Sequence, residues 1–317
     1  MRAKLSTNSG FLAANAPRAL TRSANAWRLG WLGLAAVAAC VASKPVFAGD
    51  RVLGTWGVSQ VEGAGGGGLV PWATITGTGS SNQNGGSVFV THLNTQDGYQ
   101  LKIGGAAIGI KDQVELSMAR WSLKLSDVVP GKSLEMNVAG VKVKVTGDAL
   151  YDQDRLMPQI SVGAQYKQVD DSALVKSLGA TSSSDIDVYA TATKLWLGGA
   201  VGRNVLATVT ARLTKANQFG LVGFGGPGKD QRKLELEGSL GIMLRDDLVL
   251  GGEYRMKPNN LEVSAGTAIL REDDAWDLFV AWFPCRGGSL TLAWVNLGNI
   301  VSKENQSGLY LSAQAAF

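Results

Sequence analysis

From Lys233 to Leu244 the chain alternates side chains of opposite character: Leu234, Leu236, Leu240, Ile242 and Leu244 interleave with Lys233, Glu235, Glu237 and Ser239. A period of two places successive side chains on opposite faces of a strand, whereas a helix would need a period near 3.6. After a turn at Arg245 to Asp247 the pattern resumes, with Leu248, Leu250, Tyr254 and Met256 against Glu253 and Arg255. It recurs at Val141, Val143 and Val145 against Lys142 and Lys144, and at Ile160, Val162, Ala164 and Tyr166 against Gln159, Ser161, Gln165 and Lys167. Trp276, Leu278, Val280 and Trp282 alternate in the same way with Asp277. Further strands are predicted at Val88 to Leu93, Leu101 to Ile110, Val114 to Leu125, Asp185 to Leu197, Val205 to Leu213 and Leu290 to Leu297. Within Val114 to Leu125, Val114, Leu116 and Met118 share one parity and Trp121, Leu123 and Leu125 the other, which predicts a bulge or the entry to a loop at Arg120 and Trp121.

The final stretch, Ser307 to Phe317, carries no charge, sets Leu309, Leu311, Ala313, Ala315 and Phe317 on one face, and stops on an aromatic ring. A terminal strand with one lipid-grade face is how a transmembrane barrel closes. Connections alternate in length: those at Lys111 to Gln113, Gly202 to Asn204, Arg245 to Asp247 and Pro284 to Gly288 are short, and those at Lys215 to Gln231, Lys257 to Asp274 and Gly298 to Gln306 are long. The expectation is an all-β protein, a transmembrane antiparallel barrel of about twelve strands, or fourteen if Val52 to Gln60 and Leu69 to Thr76 join the wall. Pro71 and the run Gly65 to Gly68 argue against those two strands, since proline cannot donate to a ladder. Asp170 to Gly179, acid-capped and ending in glycine, predicts one short loop helix.

The beginning of the chain has a different character. Arg2, Lys4, Arg18, Arg22, Arg28 and Lys44 precede the first acid, and the apolar run Leu29 to Val41 is too short to span a bilayer. These features, with Val46, Phe47 and Ala48, predict a secretory signal peptide over 1–48. A lipoprotein box at Val37 to Cys40 is the rival reading. The domains are then the leader 1–48, a Gly-rich segment 49–85 that forms either the first strands or a lumen plug, and a barrel over 86–317. The whole chain carries a net charge of +4, but the leader holds only basic charges, so its removal leaves a slight excess of acid and no electrostatic case for nucleic acid.

Charges that alternate with lipid-grade residues must face inward, because a charge in hydrocarbon is prohibitive. That parity nominates Lys142, Lys144, Lys167, Asp187, Arg212, Glu235, Glu237, Glu253, Arg255 and Asp277 as lumen-lining, with Lys233, Glu115 and Asp185 beside them. Opposed charges across a narrow lumen suit a small polar solute; the bland alternative is cross-strand pairing that fills a closed barrel. Enzyme chemistry has weak support, because His92 is the only histidine and a single strand histidine is more often a lumen filler or an interface residue. No spacing of metal ligands or phosphate-loop signature implies a cofactor.

The strings Tyr151 to Lys167, Thr214 to Gly226, Gly252 to Leu261 and Arg271 to Trp282, with GVSQVEGAGGGGLVPWA near the mature start, resemble a proteobacterial family of exported proteins classed only as a domain of unknown function. The resemblance implies an outer-membrane barrel and supplies no activity, cofactor or catalytic residue. The C-terminal Phe317 resembles the signal read by the barrel-assembly machinery of Gram-negative outer membranes. The expected role is a monomeric outer-membrane channel or transporter for a small polar solute, in contact with membrane lipid. The alternative is a closed structural barrel whose external loops bind an envelope partner.

Overall fold

Twelve antiparallel strands, each hydrogen-bonded to its neighbour in the chain, close into one barrel when the last pairs with the first. The protein is described by a computed structural model covering residues 57–77, 83–125, 130–262, 270–301 and 303–317. The predicted leader, with its cleavage site, lies outside the described residues. Two short strands come first, β1 (Val58–Ser59) and β2 (Gly65–Gly66), and they pair only with each other. The wall is β3 (Gly85–Thr95), β4 (Gln100–Ile110), β5 (Val114–Lys124), β6 (Ser133–Thr146), β7 (Gln159–Val169) and β8 (Ser184–Ala200). It continues with β9 (Arg203–Thr214), β10 (Lys233–Arg245), β11 (Leu248–Arg255), β12 (Ala275–Cys285), β13 (Gly288–Asn296) and β14 (Ser307–Ala316). Among the described residues, neither 57–60 nor Leu69 to Thr76 joins the wall, and the fourteen-strand alternative is corrected to twelve.

Closure follows from the terminal alternation. On β14, Tyr310, Ser312 and Gln314 point inward and are buried, and the backbone pairs with β3 from Gly308↔Thr95 to Ala316↔Ser87. Closing the sheet removes both of its edges. Outside, the barrel exposes Leu234, Leu236, Leu240, Val209, Leu278 and Leu292, each more than half accessible. Trp276 and Trp294 stand near one end of this apolar belt and Trp196 and Trp282 near the other, as the aromatic girdles of a transmembrane barrel do.

Both chain ends of the wall lie at the end carrying the turns 111–113, 201–202, 246–247 and 286–287. The opposite end carries the longer loops, and on one of them α1 (Ser172–Ser177) is capped by Asp171, whose side chain accepts from the Leu174 N–H at 2.9 Å. The length rule has one exception at each end: 147–158, between β6 and β7, is long at the turn end, and 96–99 is short at the loop end.

The expected bulge at Arg120 and Trp121 is absent. β5 pairs with β4 without interruption from Val114↔Ile110 to Lys124↔Gln100, and with β6 from Val114↔Val143 to Lys124↔Ser133. Glu115, Trp121 and Leu123 share one inward face, and Arg120 points out to Glu135 and to Asp170 at 2.8 Å. Polarity inverts along the strand because the surroundings invert. Near the loop end the lumen is apolar, and the exterior carries charged and polar groups.

Candidate functional site

The lumen holds an inserted segment of the chain. Residues 57–77 enter it at the turn end and fold into a tight double turn, in which β1 and β2 form the short hairpin. Glycine makes the close approach feasible: a Cβ on Gly66 would lie 2.5 Å from the Val70 carbonyl oxygen. On the wall, a Cβ on Gly109 would lie 2.0 Å from the Thr76 carbonyl oxygen.

Polar contacts hold much of the segment, while its Val58, Val61, Leu69 and Val70 join the apolar core with wall residues. Glu62, fully buried, accepts two hydrogen bonds from Arg255 at 2.9 and 3.1 Å, is ion-paired to Lys167, and lies 3.5 Å from Arg212. Gln60 donates to Glu62 at 2.8 Å. Burial alone would push the Glu62 carboxyl up; Arg255, then Lys167 and Arg212, outweigh it and hold the acid well below the usual carboxylate range. Lys142 is paired with Glu115 at 3.1 Å and donates to the carbonyls of Gly65 and Trp72 at 3.0 Å each, while Glu115 accepts from the N–H groups of Gly65 and Thr76 at 2.9 and 2.8 Å. Glu253 accepts from the Leu69 N–H at 2.5 Å. Thr191 and Thr210 both donate to the Pro71 carbonyl at 3.1 Å, and Gln159 and Ser161 donate to the Ala73 carbonyl at 2.6 Å.

The wall also pairs with itself. Arg212 is bonded to Glu237 and, at 2.7 Å, to Gln165; Lys167 meets Asp187 at 2.6 Å; Arg255 lies 3.3 Å from Glu237. Glu253 and Asp277 sit opposite each other in the β11–β12 register, and neither has a cation at ion-pair distance among the described residues.

The inward candidates thus divide by height. Lys142, Lys167, Asp187, Arg212, Glu237, Glu253, Arg255 and Asp277 gather around the inserted segment. Glu235 is buried nearer the loop end, and Lys144 stands at the turn-end mouth, paired with Asp112 at 2.5 Å and Asp148 at 3.6 Å. His92 shares the outward parity of Val88 and Val90 and takes no part in the lumen.

A second closure covers the inserted segment. The loop after β9 turns inward, placing Gln218 and Phe219 at positive φ of 44° and 62°. Such backbone is costly for residues with a Cβ, and here it is held by Lys257, which donates to Gln218 at 2.6 Å and to the Leu297 carbonyl at 2.7 Å. The Phe219 ring lies 4.6 Å beneath the Arg255 guanidinium and 6.3 Å from the ring of Trp121. With Leu101, Leu123, Leu297 and Ile300 it makes an apolar layer across the loop end.

A family model described as a protein of unknown function, DUF3034, matches residues 55–314. The chain belongs to that family. In this DUF3034 barrel the matched region begins just before the inserted segment and takes in the whole wall except its last residues. No curated protein matches the chain by sequence. Among solved structures, the NanC porin is 9% identical with a TM-score of 0.47, over 73% of this chain and 98% of its own. The Acinetobacter baumannii outer membrane protein Omp33 is 8% identical with a TM-score of 0.44, over 75% and 100%. LpxR from Salmonella typhimurium is 12% identical with a TM-score of 0.39, over 73% and 99%. No residue role is carried over from any of them.

Glu62 sits in the Gly-rich segment, where parity does not apply. One signal marks it: between Arg51 and Asp97 it is the only residue with a formal charge.

Proposed function

We propose that this protein is an outer-membrane barrel, closed at rest by residues 57–77 and by the Phe219 layer above them, that passes a small polar solute when both move aside. The observation that carries the reading is the set of charged and hydroxyl side chains by which the wall holds the segment. Buried ion pairs such as Glu62 with Arg255 and Lys167 give little net stability over an apolar filling of the same volume. A lumen that only had to be full gains nothing from them. A wall that is wetted each time the plug leaves requires charged and hydroxyl side chains, and Lys142, Lys167, Thr191, Thr210, Arg212 and Arg255 supply them. The lipid-grade belt and its two aromatic girdles support placement in the outer membrane.

The second reading, a closed barrel acting through its loops, draws on the apolar layer formed by Trp121, Phe219 and Ile300. Solute uptake into proteoliposomes separates the two. Uptake that is faster for Glu62→Gln than for the parent, and whose ion preference changes when Arg255→Gln is added, supports the plug-gated path. Absence of uptake through every folded variant supports the closed barrel.

A further inference from the structure

Below the plug, at the turn end of the lumen, lies a cavity of about 280 Å³. Its lining is nearly all carbon: Trp72 of the plug forms the ceiling, and Leu195, Leu206, Met243, Phe279 and Phe283 face it from the wall. The rest of the lumen around the plug is rich in charge and hydroxyl groups, so an apolar chamber beside a watery mouth needs an explanation. Apolar surface left facing water is unfavourable by roughly 25 cal/mol per Å², and concave apolar sites of this kind are where ligands bind.

The wall next to this chamber is incomplete. β7 begins at Gln159, opposite Thr193 of β8, while β8 runs on to Ala200 with no β7 partner. On its other side β8 pairs with β9 regularly only as far as Trp196↔Val205. Over Lys194 to Ala200 the β7 side is covered by the long 147–158 connection. The Leu195 N–H donates to the Ala149 carbonyl at 3.0 Å, the Leu197 N–H to Gln153 at 3.4 Å, and Lys194 to the Asp152 carbonyl. This flap places Leu150 in the chamber lining and presents Leu156, 88% accessible, and Met157 on its outer surface. Leu197 lines the chamber and is 59% accessible.

We propose that the chamber is a binding site for one acyl chain of a membrane lipid, admitted sideways between the 147–158 flap and β8. The lining favours a hydrocarbon occupant: of its side chains only Trp72, Tyr151 and Asn204 carry nitrogen or oxygen, the Trp72 indole N–H donates to Ser239 at 3.3 Å, and the Asn204 amide oxygen accepts from the Gly198 N–H at 3.0 Å. The missing β7 partner points to the source, because over Lys194 to Ala200 only the flap stands on that side, and an acyl chain of the adjoining leaflet enters by parting it from β8. The inference rests on the barrel standing in a bilayer and does not require the lumen to conduct.

The test uses the barrel reconstituted in vesicles of phosphatidylethanolamine and phosphatidylglycerol, with a small fraction of phosphatidylcholine bearing a diazirine at the end of its acyl chain. After irradiation, adducts are mapped by peptide mass spectrometry. Outward Val209 and Leu278 report insertion, and the expected result is labelling of these together with lumen-facing Leu195, Leu206 and Met243. Leu206→Trp, which fills the chamber, is expected to abolish the lumen adducts and leave the outward ones. Leu156→Ser with Met157→Ser, on the outer surface of the flap, is expected to reduce lumen labelling while leaving the chamber intact. Outward labelling with an unlabelled lumen in the parent overturns the proposal. Lumen labelling by a soluble diazirine alcohol but not by the lipid overturns the lipid source. Absence of outward labelling overturns the bilayer placement along with it.

Discussion

Glu62 shows what a single residue does here: one carboxylate on the plug is shared by Lys167, Arg212 and Arg255 on three wall strands. Replacing it with glutamine leaves buried cations short of a partner, and breaking a buried pair from one side costs about 3–5 kcal/mol. The expected outcome for Glu62→Gln is faster hydrogen exchange at the amides of 57–77 with the wall amides unchanged. Equal protection in variant and parent would contradict the role given to Glu62. Its titration gives a second expectation. The cations hold the folded-state value below the unfolded one, so the Glu62 contribution to docking is present above the ordinary carboxylate range and is lost as pH falls through the lowered value. Protection of 57–77, corrected for intrinsic exchange, should therefore hold from neutrality through mild acid and drop only in stronger acid; loss beginning near neutrality would argue against it. Alternation could nominate the wall charges because hydrocarbon disfavours them on the outward face. Glu62 was not, because glycine-rich turns have no periodicity to say where a side chain points.

Among the elements, β5 separates what alternation reports from what it does not. Period two gives the two faces of a strand, but not what each face meets at each height. Where the lumen changes from the Glu115–Lys142 pair to the Trp121–Phe219 layer, the apolar residues change parity without any bulge. Trp121 is buried to 1% exposure, so Trp121→Ala should destabilise the barrel by about 3–5 kcal/mol. Arg120→Ala, on the opposite face with exposed partners, should cost at most about 1 kcal/mol. Urea-driven unfolding of the two variants in vesicles checks this order, and the reverse order would restore the bulge. Strand identity and the contrast of short turns with long loops were readable from spacing. The inward course of the loop after β9 was not, because it depends on Lys257, distant in sequence, holding Gln218 and the Leu297 carbonyl.

The whole molecule is a barrel turned partly inside out, with hydrocarbon facing outward and charge at its centre. Leu240 lies near the middle of β10 on the outward face and is 57% accessible. Leu240→Lys should destabilise the inserted barrel by about 2–4 kcal/mol, with little effect from Leu240→Ala in the same vesicle assay. Near-equal effects would place that face elsewhere than in lipid. Class and strand number were legible because a closed sheet repeats one rule twelve times; the state of the lumen was not, because it is set by a segment that obeys no repeat. The central claim is that residues 57–77 and the Phe219 layer are what close the lumen. The most direct measurement is single-channel conductance in planar bilayers of the parent and of a variant lacking 57–77 and carrying Phe219→Gly and Leu221→Gly, both shown to be folded by heat-modifiable gel mobility. The account predicts a parent that is closed apart from brief openings and a variant that conducts in steady steps. A folded variant that stays silent would contradict it.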